Sequence, residues 1–302
     1  MARRVTIRKI MDWAPRIIAA AWDCALIGDE VARVQFKRLV RYCLGLSDPG
    51  EESYAELYRA VKTTYQKGSV LDFGLVKLPV VHDEHADCLV PAFLNLLGPY
   101  LSPRRHCIWP NCEGTYEQFG SRVPRGGVVL DLGASIGVFS AFAAARGARV
   151  YAFEPVAEAR EYLEQTVRLN RDCPGSIEIV PLAVMDSPGL VTMEIPRKDL
   201  GLGSGSAVLR FEVKDTVTVA GTSLDDWVDS SGLDRVDFIK VDIEGAERRF
   251  LRGAKRMLRK FKPQMAICTY HFLADLQVLT ELVKDVDSAY EIHHNAIKMF
   301  AR

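Results

Sequence analysis

The run Val128-Val-Leu-Asp-Leu-Gly-Ala-Ser-Ile-Gly-Val138 joins an apolar stretch to a carboxylate and two glycines, and opens into Val138-Phe-Ser-Ala-Phe-Ala-Ala-Ala145. This is the grammar of a buried strand, a tight turn and a helix start. Glycine permits positive φ and the close approach of a ligand, and a helix start offers unpaired N–H groups. Asp131, at the strand end, is a poor neighbour for phosphate and a good one for a cationic ligand. The next apolar run, Arg149-Val-Tyr-Ala-Phe-Glu154, ends in a second carboxylate 23 positions later. An acid there can take both hydroxyls of a ribose. Gly133 and Gly137 stand four apart, so the G-x-G-x-x-G dinucleotide fingerprint is absent, and so is a P-loop lysine. The acid–glycine–acid series points to a sulfonium nucleoside, S-adenosylmethionine, rather than to a dinucleotide.

Ligands of open parallel sheets sit beyond the carboxyl ends of the strands. Two further candidates for chemistry stand at such ends. Asp242, with Glu244 close behind, follows Phe238-Ile-Lys-Val241, and His271 follows Met265-Ala-Ile-Cys-Thr-Tyr270. Methyl transfer is an in-line displacement, and an alcohol acceptor must lose its proton as the bond forms. Asp242, Glu244 and His271 are therefore the candidate catalytic residues. The alternative for the two acids is a helix N-terminus dressed with carboxylates, and for the histidine a structural role. Glu247, Arg248 and Arg249 read as part of the solvated helix. Asp242, Glu244 and His271 could also gather a cation such as magnesium; spacing does not separate this from metal-free base catalysis, and no metal ligand is assigned.

The elements that must position these groups alternate. Strands are expected at 127–132, 149–153, 177–180, 236–241 and 264–269, with helices between most of them, which implies a parallel sheet covered on both faces. Tyr290 to Phe300 reads as a closing hairpin turning at His294-Asn295. Residues 189–221 supply extra short strands around Gly201-Leu-Gly-Ser-Gly-Ser206, a run that suits a mobile lid and a plain hairpin loop equally. Upstream, residues 1 to about 66 read as helices, Val70 to Val81 as a short strand pair, and 84–98 as a helix. The division expected is a mainly helical accessory or cap region, 1–112, and a core domain, 113–302.

Composition sets outer bounds. The 302 residues are 48% hydrophobic, enough for a sizeable core, and Lys+Arg and Asp+Glu are equal at 39 each. No global field or basic stripe favours nucleic acid. The seven cysteines are scattered, odd in number and without a C-x-x-C pair, which suits a reducing cytosol and a cytoplasmic protein. His82, His85 and Cys88, with His106, Cys107 and Cys112 further on, fit no standard zinc module. Ile17 to Trp22 follows several basic residues, but Arg16 and Asp23 make the uncharged run too short to span a bilayer. It reads as an amphipathic helix. The oligomeric state stays open, a homo-oligomer included.

Taken together, Val129-Leu-Asp-Leu-Gly-Ala-Ser-Ile-Gly137, Phe153-Glu-Pro155, Thr222-Ser-Leu-Asp-Asp226 and Phe238-Ile-Lys-Val-Asp-Ile-Glu-Gly-Ala-Glu247 resemble the FkbM-type S-adenosylmethionine-dependent methyltransferases in order and spacing. The resemblance covers roughly residues 113–300. It implies an α/β, Rossmann-like class I methyltransferase fold, mostly parallel with an antiparallel C-terminal hairpin, plus the mainly helical N-terminal extension. By the same resemblance Asp131, Gly133, Ala134, Ser135 and Gly137 surround the methionine moiety, Glu154 in Glu154-Pro155 holds the ribose, and Ala183 lies near the adenine. Glu113, Tyr116 and Glu117 occupy the place of an acidic-aromatic segment that covers the cofactor amino group, or else form a capped surface helix. Ser135 stands where the family usually has Asn. The implied activity is O-methylation of a hydroxyl on a small molecule or glycan. The rival from another class is a cofactor-binding interaction protein without turnover.

Overall fold

The computed structural model describes residues 66–72, 76–80, 96, 115–196, 206–209 and 214–302, and the chain divides into two compact units, residues 1–115 and 116–302. In the first unit, β1 (Gln66–Lys67), β2 (Val70–Asp72) and β3 (Lys77–Pro79) form an antiparallel sheet in chain order. Leu71 and Leu78 oppose each other across β2 and β3 and are fully buried. The strand pair expected over Val70–Val81 is thus present. The helices expected in residues 1–66, the His82/His85/Cys88 group and, apart from Leu96, the helix at 84–98 lie outside the described residues.

The second unit opens with β4 (Val128–Leu132), α1 (Val138–Ala145), β5 (Arg149–Phe153), α2 (Ala157–Leu169) and β6 (Ser176–Val180). A side sheet follows: β7 (Ala183–Val184), β8 (Gly189–Pro196) and β9 (Lys214–Thr222). Then come α3 (Leu224–Ser231), β10 (Phe238–Val241), α4 (Glu247–Arg252), α5 (Lys255–Phe261), β11 (Gln264–Cys268), α6 (Asp275–Val286), β12 (Ile292–His294) and β13 (Lys298–Ala301). Seven strands make one sheet in the order β12-β13-β11-β10-β4-β5-β6. β11, β10, β4, β5 and β6 are parallel, while β13 lies antiparallel between β11 and β12.

Burial on both faces explains the near-continuous apolar runs of the central strands. Side chains alternate along a strand. Leu130, Leu132, Ile239 and Val241 therefore join the core beneath α3 to α6, with Phe250, Leu258, Leu279 and Val283. The opposite face of β4 and β10 meets α1, where Phe139 stacks on Phe238 and Ser140 reaches Asp131. α1 is packed by small residues, and every side chain from Phe139 to Ala145 is buried. α2 buries Ala159, Leu163 and Thr166, a stripe at helical spacing.

The Thr222-Ser-Leu-Asp-Asp226 motif has a structural task. Ser223 caps α3 by accepting the Asp226 N–H, and buried Asp225 accepts the Arg256 and Met257 N–H groups at the start of α5. The C-terminal hairpin turns where the sequence indicates, Asn295 Oδ1 accepting from the Ile297 and Lys298 N–H groups. The region 189–221 differs from expectation. β8 and β9 are eight and nine residues long, and all of β8 pairs with residues 214–221 of β9. Residues 201–205 of the Gly/Ser run lie outside the described residues.

Candidate active site

The turn after β4 is held by backbone. The N–H groups of Gly133 and Ala134 both donate to the Phe153 carbonyl at the end of β5, at 3.1 and 2.9 Å. Gly133 has φ +75°, and a Cβ there would fall inside the Asp242 carbonyl oxygen's envelope. Only glycine lets the ends of β4 and β10 come this close. Ser135 is also left-handed, φ 50°, and aims its N–H at Glu154 Oε2 over 2.9 Å. Glu154 Oε1 accepts the Val156 N–H, also at 2.9 Å. One carboxylate thus ties two strand-end loops together. Burial pushes its pKa up to about 7, while the Val156 and Ser135 N–H groups, Lys240 and Arg160 pull it down.

Beside this corner lies a hollow of about 490 Å³, its open mouth included. Gly133, Glu154, Pro155, Ala183, Asp242 and Glu244 line it, bringing together six of the residues singled out in the sequence. Phe153, Leu182, Met185, Met193 and Ile243 supply an apolar wall that sequence reasoning missed. An apolar cleft with a few convergent polar groups is the usual form of a small-ligand site.

Other expected residues stand behind the hollow rather than in its lining. Asp131 is the main correction. Its carboxylate has no exposure, accepts from Ser140 Oγ at 2.6 Å and lies 3.1 Å from Lys240 Nζ. Asp131 and Lys240 are register partners on β4 and β10, so the acid neutralises a buried lysine instead of facing a cationic ligand. Lys240 in turn donates to the Gly133 carbonyl at 2.5 Å, which makes the pair a support for the turn. Ala134 packs with Ala152 and Leu163. Gly137, φ +89°, is the residue before α1, and a Cβ on it would meet Leu163 and Thr166 of α2. Glu117 is buried and accepts the Val123 N–H at 2.7 Å, so it braces its own loop. Tyr116 donates its hydroxyl to Asp242 Oδ2 at 2.9 Å, which makes it a holder of that acid. Glu113 lies outside the described residues.

At the end of β10 the chain reverses through Glu244 and Gly245, both left-handed at φ 52° and 93°, and enters α4 at Glu247. The reversal folds Asp242, Glu244 and Glu247 around His271. Tyr270 donates to Asp242 Oδ1 at 3.0 Å, opposite Tyr116. His271 Nε2 stands 3.3 Å from Glu244 and 3.9 Å from Asp242, and Nδ1 stands 3.2 Å from Glu247. Glu247 is only 1% exposed, so it does not belong to a solvated helix face. The signal was its place inside the Lys240-to-Glu247 block. Ser206 Oγ donates to the Glu244 carbonyl and anchors the reversal to the side sheet.

These acids change the role of the histidine. Burial opposes charging the ring, but Glu244, Glu247 and Asp242 outweigh it and push the His271 pKa up to about 10. With no cation in the cluster these acids favour the protonated ring, a form that donates a proton rather than accepting one. Of the acids around His271, Asp242 and Glu244 reach the hollow.

A parallel sheet with one antiparallel strand inserted near its edge, and a hollow at its carboxyl end, defines the class: a Rossmann-like class I methyltransferase fold. The chain belongs to the FkbM methyltransferase family, the family model described as "Methyltransferase FkbM domain" matching residues 131–296. The methyltransferase sdnD of Sordaria araneosa is 28% identical over 162 residues, 44% of this chain and 62% of that protein. The hexuronic acid methyltransferase AglP of Haloferax volcanii is 25% identical over 166 residues, 55% of this chain and 64% of that protein. The AMB antimetabolite synthetase AmbE of Pseudomonas aeruginosa is 28% identical over 177 residues, 47% of this chain but 8% of that protein. The chain therefore spans less than two thirds of each of these relatives. Among solved structures, the methyltransferase FkbM of Methylobacillus flagellatus KT matches with a TM-score of 0.48 at 18% identity, covering 98% of this chain and 60% of that one. Among the described residues, no helix is long and apolar enough to cross a membrane.

Proposed function

We propose that residues 116–302 bind S-adenosylmethionine in the hollow beside Gly133 and Glu154 and direct its methyl group to a hydroxyl oxygen of a small molecule or glycan. The observation that carries this is the joint lining of one hollow by Glu154 at the end of β5 and Asp242 and Glu244 at the end of β10, across an apolar wall. Glu154 keeps lone pairs for ribose hydroxyls after taking its two backbone N–H groups. Ala183, Met185 and Met193 offer the apolar surface a purine needs, and Pro155 continues it beside Glu154. Gly133, Ser135 and the helix start at Gly137 shape the turn for the methionine end, with Ala134 and the buried Asp131–Lys240 pair as its support.

The bound cofactor supplies an activated methyl on a positively charged sulfur. The acidic end of the hollow favours that charge over the neutral thioether left behind. The chain holds the acceptor in line with the methyl, and its carboxylates receive the hydroxyl proton. Residues 1–112 act in this reading as an accessory region. The hexuronic acid specificity named for the Haloferax relative supports a sugar as acceptor.

Calorimetry with S-adenosylhomocysteine, together with labelled methyl transfer to hexuronate glycans and metabolite extracts, tests the proposal. Binding with transfer is expected. Binding without transfer to any acceptor supports the interaction-protein rival, and the absence of binding removes both.

A further inference from the structure

The donor atoms of Asp242, Glu247 and His271 lie within 4.8 Å of one another. Two observations set this group apart from an ordinary acidic cluster. First, polar atoms in it are buried and unsatisfied: both ring nitrogens of His271 and Oε2 of Glu247 make no aligned hydrogen bond, although the side chains are 3% and 1% exposed. Unpaired buried polar atoms are costly and call for an explanation. Second, the charges do not balance. Among the described residues, the imidazole is the only group of basic type at ion-pair distance from the three carboxylates of Asp242, Glu244 and Glu247. Arg248, the nearest basic residue in sequence, is committed to Asp275 at 2.8 Å. Asp242 carries the group to the floor of the hollow, and the two tyrosyl hydroxyls fix its orientation.

We propose that Asp242, Glu247 and His271 form a binding site for a divalent cation, at the acceptor end of the hollow. Two carboxylate oxygens and an imidazole nitrogen make a mixed donor set, which suits Mn2+ better than the all-oxygen preference of Ca2+. The site itself stands without the methyl-transfer reading; its role rests on it. An acceptor hydroxyl on the cation becomes more acidic. Its oxygen forms the bond to the methyl carbon, the carbon–sulfur bond breaks with its electron pair remaining on sulfur, and the hydroxyl proton passes to Glu244. Glu244 lines the hollow and is left outside the ligand set.

The test is Mn2+ titration of the chelator-stripped full chain, following free Mn2+ by electron paramagnetic resonance. One site per chain is expected, with affinity at least about tenfold weaker in Glu247→Gln and His271→Gln. Circular dichroism melting confirms that each variant folds. Should these two fail to fold, Asp242→Asn, altered at the open end of the group, replaces them. No Mn2+ uptake by the stripped wild type, or uptake unchanged in folded variants, overturns the proposal and leaves a ring proton as the only counter-charge. Calorimetry with S-adenosylhomocysteine on the same samples separates the two claims. Cofactor binding without Mn2+ uptake ends the cation site alone, and Mn2+ uptake without cofactor binding ends the cofactor reading alone.

Discussion

Glu154 is buried, doubly hydrogen-bonded by backbone and pushed by burial to a pKa of about 7. Because that value lies above the ordinary 4.5, the folded chain holds this proton more tightly than the unfolded one. The resulting stability is complete below about pH 4.5 and is lost as pH rises through about 7. Ribose hydroxyls, in contrast, donate best to the ionised form. Affinity for S-adenosylhomocysteine should therefore rise several-fold from pH 6 to pH 8, and calorimetry at the two pH values reads it. Glu154→Gln should bind about tenfold more weakly at pH 8, the cost of losing hydrogen bonds to a charged group, with the pH dependence flattened. Equal affinity at both pH values in the wild type would exclude this role. Asp131 invites a second test. Asp131→Asn leaves Lys240 without its charge partner and should cost about 3–5 kcal/mol in urea denaturation. The double change Asp131→Asn with Lys240→Met should recover much of that. Losses that simply add would contradict the pairing.

The elements explain why some of this was legible in the sequence and some was not. Strands β4, β5, β10 and β11 were readable to within a residue or two because both of their faces are buried, leaving unbroken apolar runs bounded by polar ends. Asp131 was misread for the same reason: a carboxylate ending such a run looks aimed at a ligand. Its partner Lys240 sits 109 positions away on a strand whose adjacency only the sheet order reveals. Glu247 looked solvated because acids at helix starts usually are; two left-handed residues before α4 turn it inward instead. The length of the β8–β9 hairpin escaped notice because the intervening Gly/Ser run masked two long alternating strands. Two element-scale outcomes follow. Gly133→Ala should disturb both the turn and the end of β10, lowering cofactor affinity at least about tenfold, since productive placement is sensitive to shifts of an ångström; retained affinity in calorimetry would refute the close approach. Asp225→Ala should cost about 1–3 kcal/mol by orphaning the buried N–H groups at the start of α5. Urea denaturation measures that loss, and cofactor affinity should be unchanged because Asp225 is no part of the hollow's lining.

At the scale of the molecule, the second unit contains the seven-stranded sheet, its own core and, among the described residues, every one that lines the hollow. Expressed alone, residues 116–302 should keep the cofactor affinity of the full chain within about threefold, the scatter usual for a single contribution; loss of folding or of affinity would assign the first unit a part in the site. The central claim is that the hollow between the ends of β5 and β10 receives a sulfonium nucleoside. Calorimetric titration of the full chain with S-adenosylhomocysteine, wild type beside Glu154→Gln, addresses it most directly. The account predicts one ligand per chain and a clear weakening in the variant. Absence of heat with folded protein, or the same affinity in both, would contradict it.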